Sequence, residues 1–224
     1  MSQSDSFIDE VTEEVRRDKL FANFRKYGWV AAIAVLVIVG GAAYYEYSRA
    51  QETAQAEAFG DALLTALEQG EPAERAAALD AIEAETPDGR VLLALTRSSE
   101  LAKAGDTEGA IDALQAVADS SDIPVTYRSL AKFRLLALQG ETLSPAERRA
   151  GYEELAGPGA PLRLMALEQI AVTHVEEGNR DEALEQLVAL QDEDGLTPDL
   201  LRRISQLIVV LGGTPGGAAT TSDG

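Results

Sequence analysis

Residues 102–114 have the sequence AKAGDTEGAIDAL, which joins the end of one apolar-periodic segment to the start of another through Gly105. After the glycine, Ala110 and Leu114 follow the spacing of four residues that keeps apolar side chains on one face of a helix. A second stretch, VEEGNRDEALEQL at 175–187, repeats this layout. Both stretches therefore predict a helix, a glycine turn and a second helix.

The same arrangement recurs along the chain. Glycines close apolar-periodic segments at spacings of 35, 35, 38 and 34 residues: Gly70, Gly105, Gly140, Gly178 and Gly212. A second periodic segment and then a proline follow the first four glycines: Pro87, Pro124, Pro161 and Pro198. Strand signals are nearly absent, since aromatic residues make up only 5% of the chain and alternating apolar runs are missing. A period of about 34 residues predicts an all-α solenoid of helical hairpins.

Helix start signals fall where this scheme needs them. A capping residue is followed by a proline at the first helical position, by an acidic residue three positions on, or by both, at three places: Ser144 with Pro145 and Glu147, Asn179 with Glu182, and Thr197 with Pro198. These signals predict where three of the helices begin.

Residues 28–45, GWVAAIAVLVIVGGAAYY, form an eighteen-residue stretch without a charge. As a helix this stretch is about 27 Å long, close to the hydrocarbon core of a bilayer at about 30 Å. Trp29 stands at one end and Tyr44, Tyr45 and Tyr47 stand at the other, where amphipathic rings favour the headgroup level. The stretch predicts a single transmembrane helix at 28–47.

Basic residues are distributed unequally about this span. Five precede it, Arg16, Arg17, Lys19, Arg25 and Lys26, and only Arg49 lies in the twenty residues after it. Since Lys and Arg are retained on the cytoplasmic side, we expect a cytoplasmic N-terminus and a periplasmic domain in a bacterial inner membrane. A cleaved signal peptide is the alternative, but the 27 residues before the span include six acidic ones and favour a retained anchor.

These features divide the chain into four parts. Residues 1–27 form an amphipathic cytoplasmic segment, 28–47 the span, 48–212 a periplasmic repeat domain, and 213–224 a Gly/Thr/Ser-rich tail expected to be disordered.

The composition argues against several classes of function. The net charge is −19, so nucleic-acid binding is not expected. The chain has no cysteine and a single histidine, His174, which lies inside a predicted helix, so we expect no metal, no cofactor and no catalytic residue. We therefore expect neither an enzyme nor a small-molecule substrate. A hydrolase that uses paired carboxylates stays open as an alternative, because a pair among 38 acidic residues is uninformative without geometry.

The two strings at 102–114 and 175–187 resemble the turn region of tetratricopeptide repeats (TPRs), with Ala110 and Ala183 as the small residue early in the second helix. The whole layout, with FRKYGW before one anchor and an alanine-rich acidic repeat domain after it, resembles the YfgM-type ancillary subunit of the SecYEG translocon. This resemblance implies an accessory role in protein translocation, with the SecYEG translocon, secretory clients and periplasmic chaperones as partners. The alternative is an anchored repeat scaffold for another envelope assembly, such as cytochrome maturation or division.

Stacked helix pairs present a face formed by the first helix of each pair, and such faces bind segments of other proteins. Registering these helices on their closing glycines, as the resemblance implies, predicts the following partner-binding residues: Leu92, Leu95, Lys103, Tyr127, Leu130, Arg134, Met165, Glu168 and Val172. Tyr127 and Arg134 are of the residue types favoured at binding hot spots, and Met165 would give an adaptable apolar contact. The alternative for the apolar members is that they belong to the core.

Overall fold

The computed structural model describes the backbone of residues 3–216 and the side chains of residues 29–30 and 33–216. Within these ranges the chain forms α-helices joined by short loops, one 3₁₀ turn (Gln139–Glu141) and no strand, which confirms the all-α prediction. The helices are α1 (Gln3–Leu67), α2 (Pro72–Asp80), α3 (Pro87–Lys103), α4 (Thr107–Ala118), α5 (Val125–Leu138), α6 (Pro145–Leu155), α7 (Arg163–Glu176), α8 (Arg180–Gln191) and α9 (Pro198–Val210).

The chain divides into two compact units, Met1–Ala58 and Phe59–Gly224. In the first unit, every side chain from residue 33 to residue 47 is exposed. Among the described residues, no helix combines the length and the hydropathy needed to cross a bilayer. The span predicted at 28–47 includes residues whose side chains lie outside the described part, and it stays a prediction.

The second unit consists of the hairpins that the glycine spacing predicts, beginning at Phe59 in the last turns of α1. Gly105 and Gly178 end α3 and α7 with φ angles of 85° and 82°, a conformation that residues with a side chain rarely adopt. At Gly105 this conformation lets the Asp106 backbone N–H donate to the Leu101 carbonyl at 2.9 Å, which closes the end of α3. Gly140 instead lies in the 3₁₀ turn between α5 and α6.

All three helices begin directly after the predicted residues, at Pro145, Arg180 and Pro198, and two of the three side-chain caps are confirmed. The Ser144 hydroxyl accepts from the Glu147 backbone N–H while the Glu147 carboxylate accepts from the Ser144 backbone N–H, and Thr197 accepts from the Leu200 N–H. The prediction that the Asn179 side chain caps α8 is wrong, because that side chain makes no capping hydrogen bond. Its amide donates instead to the Glu177 carboxylate at 3.2 Å.

The core of the second unit consists of four consecutive clusters, each contributed by three neighbouring helices. Their central residues are Leu79 between α1, α2 and α3, Leu114 between α3, α4 and α5, Tyr152 between α5, α6 and α7, and Leu187 between α7, α8 and α9, and each is at most 1% exposed. Since each cluster joins only neighbours along the chain, the unit is an α-solenoid. Ala110 and Ala183 are fully buried, as their predicted positions require.

The range predicted for the repeat domain, residues 48–212, stays a prediction, and its packing can be followed from Phe59 onward. Phe59 packs against the first cluster, so the repeat packing begins there and α1 continues through residue 48 without interruption. At the other end, Gly216 donates its N–H to the Gln191 side chain at 3.0 Å. The rest of the tail predicted to be disordered, residues 217–224, lies outside the described residues.

Candidate binding surface

A groove of about 510 Å³ lies between α3 and α5, the first helices of two successive hairpins. Its walls come from both helices, and α4 adds one residue. The lining residues are Ser98, Ser99, Ala102, Lys103, Leu114, Phe133, Arg134, Ala137 and Leu138. We call this the α3/α5 groove. It is open to solvent and forms part of the first-helix face predicted from the sequence.

The sequence produces the α3/α5 groove because short side chains line its two walls. Ser98, Ser99 and Ala102 on α3 and Ala137 on α5 occupy little volume, so space remains between the two helices. Phe133 supplies an aromatic wall, and its ring lies 5.4 Å from the ring of Tyr152 at an angle of 59°. Because Tyr152 is 1% exposed, this contact holds the Phe133 ring in a fixed position.

Lys103, at the end of α3, is held by the buried carboxylate of Glu100. The same carboxylate accepts from Arg75 of α2, whose Nε lies 2.7 Å from its Oε2 atom. The hydrogen bonds from Lys103 and Arg75 lower the pKa of Glu100 against the opposing effect of burial. With two cations and one anion, this trio contributes a net charge of +1 beside the α3/α5 groove.

Arg134 stands on the α5 wall and is exposed. Within the described part of the chain, none of the salt bridges involves Arg134. The structure thus brings two predicted binding residues, Lys103 and Arg134, to one groove. Arg134 brings its charge without a counter-ion from the described residues.

The other predicted residues on α3 and α5 lie outside the α3/α5 groove. Leu92 and Tyr127, near the starts of the two helices, are 50% and 37% exposed and are available to a partner. Leu95 and Leu130 are half-buried, and Leu95 packs against the cluster around Leu114. The structure therefore divides these four residues into an exposed pair and a pair that is half-buried.

The predicted residues on α7 have different environments. Met165 and Val172 are half-buried. Glu168 is 4% exposed and accepts two hydrogen bonds from Arg203 of α9, at 2.9 Å from Nε and 2.7 Å from Nη2. This paired geometry joins α7 to α9, so we leave Glu168 out of the binding surface.

The binding residues predicted from the sequence do not include most of the groove's lining, such as Ser98, Ser99 and Phe133. Ser99 could have been found, because it lies four residues after Leu95 and four before Lys103, which places all three on one helix face. Phe133 lies three residues after Leu130, a spacing that places both on one side of α5, but its position as a groove wall also depends on contacts with the next helix.

The titratable side chains of the described residues bear on the alternative of a catalytic function. No three His, Asp or Glu side chains among them are grouped so that they could hold a metal ion. His174 is half-buried on α7, and its buried Nδ1 has no hydrogen-bond partner in this part of the chain. Hydrogen bonds from hydroxyl or cationic donors lower the pKa values of five carboxyl groups: Glu100, Asp122, Glu147, Glu177 and Glu193. Helix caps and structural ion pairs produce such shifts, and the absence of enzymatic activity stays a prediction.

Comparison with known proteins identifies the repeat. Residues 19–150 match the model of a family described as a tetratricopeptide repeat-like domain. This match covers 132 of 224 residues and contains the whole α3/α5 groove. No curated protein and no solved structure shows significant similarity to the chain. Because the matched model spans more than half of its length, the chain belongs to the tetratricopeptide repeat-like domain family.

Proposed function

We propose that this chain is a membrane-anchored protein-binding scaffold of the bacterial inner membrane, acting as an accessory subunit of the SecYEG translocon. A TPR-like domain indicates a scaffold for protein–protein interaction. The observation that carries the proposal of binding is the α3/α5 groove, because it combines an open apolar surface with Arg134, which has no salt bridge among the described residues.

The α3/α5 groove suits a short protein segment. Its volume of about 510 Å³ accommodates a few side chains, and Phe133 and Leu138 offer apolar contact. The hydroxyl of Ser99, which is half-buried, can bind backbone groups of a segment lying along the helices. Leu92 and Tyr127 extend the exposed first-helix face beyond the groove.

Three observations support the membrane anchor. Residues 28–45 carry no charge, basic residues favour the N-terminal side, and the described side chains from 33 to 47 are all exposed. In this proposal residues 28–47 cross the inner membrane and the repeat domain is periplasmic. Anchoring confines the binding face to the membrane surface, so weak contacts with emerging secretory proteins gain from a raised effective concentration.

The orientation can be tested with reporter fusions in living cells. A periplasm-dependent reporter fused after Leu211 should be active, and the same reporter at Ser2 should be silent. The opposite pattern would contradict the periplasmic location and with it the proposed contact with secreted clients.

The translocon partnership rests on the YfgM-type layout of the sequence and is tested by chemical crosslinking. The tagged full-length chain is crosslinked in intact cells, captured from solubilised membranes and analysed by quantitative mass spectrometry. An unrelated single-span protein carrying the same tag is the control. We expect enrichment of the SecYEG subunits and of periplasmic chaperones. Enrichment of cytochrome-maturation or division proteins instead would favour the alternative envelope scaffold, and enrichment of neither would contradict both.

A further inference from the structure

We infer that Arg134 receives an acidic side chain of a bound protein segment, while an adjacent apolar side chain of that segment occupies the α3/α5 groove. This inference rests on the proposed binding function and specifies its ligand class. The occupant is an Asp or Glu side chain next to a Leu, Ile, Met or Phe side chain.

Few cations of the repeat domain lack a carboxylate partner among the described residues. Residues 59–216 contain 13 basic and 28 acidic residues, a net charge of −15. Ten of the 13 cations form salt bridges with carboxylates of the described chain. Arg180 donates instead to the Leu211 carbonyl. Only Arg128 and Arg134 remain, although carboxylates outnumber cations by more than two to one.

Arg134 and Arg128 differ in their position relative to the α3/α5 groove. Arg134 lines the α3/α5 groove, whereas Arg128, six residues earlier on the same helix, does not. The other cation of the groove, Lys103, already shares the Glu100 carboxylate with Arg75. Among the described cations, Arg134 is therefore the one that faces the groove without a counter-ion.

The chemistry of the groove sets what Arg134 can recognise. A guanidinium presents a planar fork of donors that matches the two oxygens of a carboxylate. Phe133 and Leu138, which are half-buried, provide an apolar surface for the neighbouring side chain. The net charge of −15 repels acidic segments from the domain as a whole, so an acidic segment needs a local cation such as Arg134 to bind.

The carboxylate belongs to a side chain rather than to a chain terminus. The groove is open to solvent between two helices, so a segment can continue past Arg134 in both directions. A terminal carboxylate has the same chemistry, and the experiment below separates the two sources.

The test uses the full-length protein, purified in detergent and immobilised, and a library of random peptides displayed as N-terminal fusions. Because the C-termini of these peptides are not free, all selected carboxylates are on side chains. Selection is carried out on the wild-type protein, on Arg134→Glu and on the matched control Arg128→Glu. We expect the wild type and Arg128→Glu to enrich Asp or Glu beside an apolar residue, and Arg134→Glu to lose that enrichment.

A selected peptide is then compared with its Glu→Gln version by fluorescence anisotropy. Loss of the charge-assisted bond should weaken binding about tenfold to the wild type and have little effect with Arg134→Glu. A version in which only the C-terminus carries a carboxylate should bind as weakly as the Gln version. Equal binding of this version and the Glu peptide would overturn the inference that the bound carboxylate belongs to a side chain.

Other outcomes separate the inference from the proposed function. Enrichment without an acidic preference, or with the same preference in Arg134→Glu, would overturn the inference and leave groove binding intact. No enrichment on the wild type would also overturn it, while crosslinking in cells tests the scaffold independently. The thermal midpoint of Arg134→Glu should equal that of the wild type because Arg134 forms no ion pair within the described part of the chain. Arg134→Gln repeats the test if Arg134→Glu fails to fold.

Discussion

Replacing Glu100 by glutamine tests the ion-pair trio that supports the α3/α5 groove. The Glu100 side chain is 6% exposed and binds Arg75, which is 19% exposed, and Lys103, which is 56% exposed. Gln keeps the shape and one acceptor but removes the charge. A hydrogen bond to a charged group contributes about 1.5–3 kcal/mol and a neutral one about 0.5–1.5. Since water can solvate Lys103, the lost stabilisation comes mostly from the hydrogen bond with Arg75. We expect the free energy of unfolding to fall by about 1–2 kcal/mol.

The pH dependence gives this prediction a second readout. The pKa of Glu100 is lowered from its ordinary value of 4.5, so its stabilising charge is fully present above that pH. The advantage of the wild type over Glu100→Gln should therefore be constant near neutral pH and shrink as the pH falls below 4.5 towards the lowered pKa. The measurement is urea denaturation of the full chain, followed by circular dichroism at several pH values.

Lys103→Gln is the matched control, because it removes the more exposed partner of the same carboxylate. Lys103→Gln should lower the free energy of unfolding by less than about 1 kcal/mol, the usual range for an exposed ion pair. A Glu100→Gln protein as stable as the wild type, or a difference that does not change with pH, would refute the role assigned to this carboxylate.

Two further predictions concern helix packing, both measured as free energies of unfolding in urea. Gly151→Ala should destabilise the protein by about 1–2 kcal/mol, because the new Cβ would lie 2.5 Å from Cδ2 of buried Leu136. Gly60→Ala, whose new Cβ would have nothing within 4 Å, should stabilise it by about 0.5–1 kcal/mol. Equal effects of the two substitutions would contradict the close approach of α5 and α6. Ala183→Leu should cost about 1–3 kcal/mol because Ala183 is fully buried; a neutral result would contradict the packing of α7 on α8.

The helices could be predicted from the sequence because their signals are local. A glycine at a left-handed turn, as at Gly105 and Gly178, and a cap such as Ser144 depend on residues only a few positions apart. At Asn179 the local signal correctly indicates the start of α8, but the side-chain amide donates to Glu177 and no capping bond forms. The regular spacing of the glycines along the chain then predicts that the hairpins stack into a solenoid.

The site could be predicted only in part because its details depend on contacts between residues far apart in the sequence. Glu168 and Arg203 are 35 residues apart, and Arg75 and Glu100 are 25 apart, so these two pairings are not visible in a helical register, unlike the pairing of Glu100 with Lys103 three residues later. Arg134 was predicted from its residue type. That it lacks a counter-ion among the described residues is a property of the folded chain.

Site-specific photo-crosslinking tests most directly whether the α3/α5 groove binds other proteins. A photoreactive amino acid replaces Ser99 in the groove and, as the control, exposed Gln115 on α4, in the full chain expressed in intact cells. We predict protein adducts from position 99, few from position 115, and loss of the adducts at 99 when Arg134→Glu is added. Absence of adducts at 99, or equal adducts at both positions, would contradict binding through this groove.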